Sequence, residues 1–143
     1  MTISVRDTPF DPYAELRAHQ ERLGQQGKYG AMASFVGTLR DHHQGDAVRA
    51  MTLEHYPGMT EKYLQHIVVE ARARWPILDA LIIHRYGALA PGEPIMLAAA
   101  WAEHRGAAFD ACRYLVEELK HRAPFWKHEM LDAGQRWMER NTP

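Results

Sequence analysis

The sequence predicts an α+β sandwich, and three observations carry that prediction. Apolar residues recur at helical spacing in three separate segments, and a continuous apolar run from Ile95 to Trp101 suits a central strand. Short alternating segments flank all of these. At 143 residues the chain matches one domain over 1–143, which buries roughly 70% of the surface its unfolded form exposes.

Each element has a local reason. Ile3 to Arg6 alternates briefly as a strand, and Asp11-Pro12 then supplies an N-cap followed by proline at the first helical position, opening a helix to about Gln25. Gly24 to Gly30 is polar and glycine-punctuated. Ala31 to Val36 is small and apolar with no helical stripe and reads as a strand ending at Gly37. Thr38 to Asp46 reads as a long polar loop, the kind that serves as a binding loop or flap. Val48 to Tyr56 alternates with Met51, Leu53 and His55 on one face, and Pro57-Gly58 ends it. Met59, Tyr63, Ile67 and Ala71 then mark a long amphipathic helix that stops near Trp75-Pro76.

Leu81 to Tyr86 follows as a short apolar strand, and Ala90-Pro91-Gly92-Glu93 turns the chain into the central run. Ala107 to Arg122 forms the third helix, broken by Ala123-Pro124. Trp126 to Met130 alternates as a strand, and Asp132-Ala133-Gly134 turns it into a last strand from Gln135 to Glu139.

Composition narrows the function classes. Hydrophobic residues at 46% and charged residues at 24% are ordinary globular values, and the longest apolar run, Ile95 to Ala102, is too short for a bilayer. Met1 to Asp7 lacks the basic start and apolar core of a signal peptide, so the expected location is the cytoplasm. A net charge of −1 without a basic face interleaved with aromatics argues against nucleic acid. The nine histidines form no metal-ligand spacing, and no metal or cofactor is expected. His42-His43 is their only cluster, and adjacent residues diverge. The sole cysteine, Cys112, falls in an apolar register with Phe109, Val116 and Leu119 and reads as a buried small hydrophobe.

Against that background the run Lys120 to Glu129 stands out. It gathers Lys120, His121, Arg122, Lys127 and His128 around a proline break and two aromatics, as a site for an anionic substrate requires. Taken alone, Lys120 compensates a helix dipole, worth about 0.3 to 1 kcal/mol. Lys127 and Glu129 share one face of their strand, Trp126 and His128 the other, which fits a solvated edge strand as well as a site. His104-Arg105 lies between a strand end and a helix N-terminus, where phosphate or carboxylate can bind, and Arg40 is a fixed cation at another strand end.

Five motifs together resemble the large, catalytic subunit of molybdopterin synthase, from Phe35 to Trp137. They are Phe35 to Arg40, Leu53 to Met59, Ile83 to Gly87, Glu103-His104-Arg105, and Leu119-Lys120 through Trp126-Lys127-His128-Glu129. The implied fold is an α/β-hammerhead-like sandwich of a mixed sheet with three main helices and a C-terminal strand pair. The implied reaction installs two sulfurs on cyclic pyranopterin monophosphate as a dithiolene. The sulfur donor would be a small ubiquitin-like subunit with a thiocarboxylate on its C-terminal glycine, in a heterotetramer built on a homodimer. Lys120, the first choice for the essential group, and Lys127 would receive that tail and assist proton transfer and oxyanion stabilisation. Arg40, His104 and Arg105 would hold the substrate phosphate, with Thr38, Leu39, His128 and Glu129 as walls. Two features depart from the family pattern: Thr38-Leu39 replaces a more basic pair, and a longer basic tail is expected after Pro143, for which Arg136 or Arg140 would substitute. The alternative is a non-catalytic binder of a partner's C-terminal tail or of a phosphorylated metabolite.

Overall fold

The computed structural model describes residues 2–131 and 134–137. Strand β1 (Thr2–Arg6) leads to helix α1 (Pro12–Leu23), which starts where expected because the Asp11 carboxylate accepts from the Tyr13 and Ala14 N–H groups at 2.9 and 3.3 Å. It stops two residues early, at Gly24, which takes a φ of 61°. Strands β2 (Ala31–Thr38), β3 (His42–His43) and β4 (Asp46–His55) follow.

The long polar loop is therefore a hairpin. His43 pairs with Asp46 across Gln44-Gly45, whose φ values of 54° and 84° suit a tight two-residue turn. The sequence reading missed it because Gln rarely takes the left-handed position that such a turn needs.

Helix α2 (Met59–Arg74) buries Leu64, Ile67, Val68 and Ala71. Met59, expected in its apolar stripe, is exposed instead, since the first turn projects past the sheet. Thr60 fixes that end: its hydroxyl accepts from the Tyr56 N–H and donates to the Pro124 carbonyl, both at 3.2 Å. Strands β5 (Ile77–Arg85), β6 (Gly87–Leu89) and β7 (Pro94–Ala102) precede helix α3 (Arg105–His121), and β8 (Phe125–Leu131) and β9 (Gly134–Trp137) complete the described chain.

The α+β class, the three helices and the closing strand pair are as expected, with the strands divided between two sheets. One has the order β1-β5-β7-β2, in which β1 and β5 are parallel and the other pairs antiparallel. The other runs β3-β4-β8-β9, with the short β6, which the sequence reading did not separate, also on β4. Strand β7 is the centre of the first sheet, and its alternation sorts the core. Met96, Ala98, Ala100 and Ala102 face α2 and α3, while Leu97, Ala99 and Trp101 face α1. The alanines let α3 approach closely, and it answers with Ala108, Ala111, Cys112 and Leu115. Phe109, placed in this register by the sequence, lies 64% exposed on the outer face.

Buried polar groups hold the layers in register. His19 on α1 bonds Asp79 Oδ2 at 2.8 Å and stacks on Trp101, whose Nε1–H donates to Gln20. Arg85, 2% exposed, donates to the carbonyls of Asp7 and Ala88 and to Glu93, tying the end of β1 to β6 and to the turn that follows it. The two sheets thus meet at a fixed angle around the ends of β2 and β5.

Candidate active site

Where those strand ends meet the second sheet, the fold leaves a cavity of about 410 Å³, within the size range of small-molecule sites. Its walls come from both sheets and from α3. The end of β2 supplies Phe35 to Leu39 and then Arg40, β5 supplies His84, the last turn of α3 supplies Leu119 and Lys120, and β8 supplies Phe125, Lys127 and Glu129. The hairpin adds His42 and His43.

Lys120 reaches the cavity because the helix runs to the proline break before ending. Its Nζ sits 5.7 Å from the centroid of the Phe35 ring, a cation–π contact that holds the ammonium over the opening. Lys127 enters from β8, which lies between β4 and β9 and so is an interior strand, not the solvated edge considered from sequence. Burial pulls the Lys127 amine down to about 8, Lys120 adds to that, and Glu129 on the same face opposes it. A lysine that surrenders its proton near neutral pH can act as base or acid, which an ordinary surface lysine cannot.

Two residues that the sequence reading did not assign to the site belong to its wall. His84 is buried, its ring nitrogen Nδ1 donates to the Arg85 carbonyl at 2.8 Å, and its ring stacks on Phe125. Burial pushes its pKa down to about 4, so it stays neutral. The signal was a titratable residue ending an otherwise apolar strand. His43 bonds Glu129 Oε1 at 2.8 Å, both side chains being buried. Its neighbour His42 points outward to Asp41, the divergence expected of adjacent residues.

The cavity therefore gathers Thr38, Leu39, Arg40, Lys120, Lys127 and Glu129, with Leu39 buried and Thr38 and Arg40 at the exposed rim. It does not gather His104 and Arg105. These cap the opposite end of α3, exposed, with Arg105 about 22 Å along the helix from Lys120. His128 lies on β8, and its side chain, like those of Arg136 and Arg140, lies outside the described residues.

Cys112 is buried, its thiol is pushed up to about 11, and Sγ lies 3.7 Å from the Ala98 carbonyl. Its distance from solvent and its high pKa leave it no nucleophilic role. Among the described residues no group of three or more His, Cys, Asp or Glu is placed to hold a metal ion. No helix is long and apolar enough to cross a membrane.

Comparison with known proteins gives a consistent result. The family model described as MoaE protein matches residues 5–122. The molybdopterin synthase catalytic subunit of Pseudomonas aeruginosa is 50% identical over 140 residues, covering 97% of this chain and 91% of its own. A solved molybdopterin biosynthesis MoaE protein from Burkholderia ambifaria superposes with a TM-score of 0.81 at 45% identity, covering 100% of this chain and 92% of that one. Molybdopterin synthase from Staphylococcus aureus superposes at 0.84 with 28% identity, covering 94% and 95%.

Proposed function

The chain belongs to the MoaE protein family and is a molybdopterin synthase catalytic subunit, and from that premise we propose how its cavity performs the sulfur transfer. The substrate is cyclic pyranopterin monophosphate, and the donor is the C-terminal thiocarboxylate of a small sulfur-carrier subunit. The observation that carries the reading is the convergence of Lys120 and Lys127, from different elements, on one cavity that also presents Arg40.

The chemistry follows from those three charges. The thiocarboxylate tail enters as an anion toward the Lys120 ammonium, and its sulfur attacks an oxygen-bearing carbon of the pterin side chain: the C–S bond of a thioester forms as the C–O bond at that carbon breaks, the oxygen leaving on the phosphate or, once protonated, as water. Water then cleaves that thioester at its carbonyl, leaving sulfur on the substrate and an ordinary carboxylate on the tail. Lys120 stabilises the oxyanion of that step, and Lys127, neutral over part of the physiological range, accepts and returns its proton. A second round completes the dithiolene. Cys112 takes no part, because the sulfur arrives with the partner.

Arg40 holds the substrate phosphate, for which its planar guanidinium is suited. His104 and Arg105 join it from a second copy of the chain. They are too far along α3 from Lys120 to serve the same cavity, so they would reach substrate only in a two-fold arrangement that puts one copy's helix start beside the other's cavity. The working assembly is then a homodimer with a small subunit at each end, acting in the cytoplasm.

Capture of a tail without turnover would need the charge but not a lysine with a depressed pKa, so Lys127 favours catalysis over the binder. The test is to incubate the chain with cyclic pyranopterin monophosphate and thiocarboxylated small subunit and follow the dithiolene by mass spectrometry. Product that disappears in Lys120→Ala supports the mechanism. Tight partner binding with no product would return the site to tail capture.

A further inference from the structure

His43 has no part in the mechanism above, yet it is buried on the cavity wall with its Nδ1 2.8 Å from Glu129 Oε1. The two come from different elements. His43 stands on β3, its direction set by pairing with Asp46, and Glu129 stands on β8 two residues beyond Lys127 on the same face. Among the described residues the imidazole and the lysine are both within the same cavity as that carboxylate.

We propose that His43 is a positioning residue: its ring N–H fixes the Glu129 carboxylate on the hairpin side of the cavity, so that Glu129 borders Lys127 without closing an ion pair with it. Lys127 shares the cavity with Lys120 from α3, His84 from β5, Glu129 from its own strand, His43 from the hairpin and Arg40 from the end of β2, while His42 turns outward to Asp41. Of these, Glu129 is the group that favours the charged lysine, so where its oxygens sit decides how readily Lys127 gives up its proton. His43 acts through Glu129 and touches no reacting atom. The catalytic consequence rests on the sulfur-transfer reading, while the positioning itself does not.

The experiment therefore has two readouts on the full chain. The first follows the Lys127 side-chain nitrogen by NMR, with isotope-labelled lysine, across a pH titration of the wild type, His43→Ala and His43→Asn. Loss of the ring in His43→Ala removes this hold on Oε1, the carboxylate shifts toward Lys127, and the lysine's proton affinity rises about tenfold. His43→Asn keeps an N–H donor close to the place of Nδ1 and retains the wild-type titration. The second readout is the pH profile of dithiolene formation, whose acidic limb shifts upward in His43→Ala by the same factor and is restored by Asn. A Lys127 titration that stays put or falls in a folded His43→Ala overturns the proposal, as does a failure of Asn to restore it. A titration that moves while the rate profile does not upholds the positioning and removes Lys127 from the chemistry.

Discussion

The imidazole of His84 lies almost flat on the ring of Phe125, with centroids 3.8 Å apart and planes 15° from parallel. This stack joins the end of β5 to the start of β8 and so ties the two sheets together beside the cavity. Its stability depends on the imidazole staying neutral, since burial penalises a charge there.

Acid should therefore loosen the fold. His84 is held down to about 4 by burial, whereas the unfolded chain's histidine titrates near 6.5. Above pH 6.5 neither state is protonated and nothing is lost. As pH falls from 6.5 to 4 the unfolded chain takes up a proton that the folded chain refuses, and stability declines by about 3 kcal/mol. Urea denaturation at pH 7 and pH 4.5 checks this, with His84→Gln as the variant in which this part of the dependence disappears.

Lys127 makes a demand on pH in the same direction, at a higher pH. If it works as the neutral amine, the rate of dithiolene formation rises about tenfold per pH unit below 8 and then levels. Lys127→Arg keeps the charge but cannot release the proton, so its rate drops by about 100-fold or more with partner binding intact. Rapid-quench mass spectrometry across pH distinguishes this from a loss of affinity.

A shared site makes a prediction that a self-contained one does not. Lys120→Ala and Arg105→Ala are each expected to be nearly inactive alone. After mixing under conditions that exchange subunits, about a quarter of wild-type activity returns, because half the dimers are hybrids and each hybrid has one intact site. If the mixture stays inactive while exchange is confirmed by native mass spectrometry, His104 and Arg105 do not serve the neighbouring cavity.

Cys112 offers a negative control with a measurable sign. Its buried thiol, pushed up to about 11, should resist maleimide in the folded protein and react on unfolding. Cys112→Ala keeps the turnover rate, at a stability cost of about 1 kcal/mol for the lost sulfur in the core.

What was legible in the sequence was what depends on neighbours along the chain. Asp11-Pro12 fixed the start of α1, and the unbroken apolar run identified β7 as central, because capping and period are local properties. Lys120, Lys127 and Arg40, read from compact motifs, line one cavity. Met59 and Phe109 were misplaced because periodicity marks an apolar stripe without showing where the opposing layer ends. His43 and His84 escaped for another reason. Their meaning lies in contacts with Glu129 and Phe125, dozens of residues away, which no spacing rule expresses.

Helix α3 carries Lys120 in its last turn and His104-Arg105 at its start, and its seventeen residues run without a break. A helix is a screw: one inserted residue adds about 1.5 Å of length but turns one end by about 100° against the other. On the shared-site proposal, such an insertion would swing Arg105 away from the neighbouring copy's substrate while leaving Lys120 in place, or the reverse. Substitutions on the outer face, where Phe109 already stands in solvent, cost little, but the residue count between the two ends is not free to drift. The helix works as a gauge block, and its length is as much a part of the chemistry as the lysine it delivers.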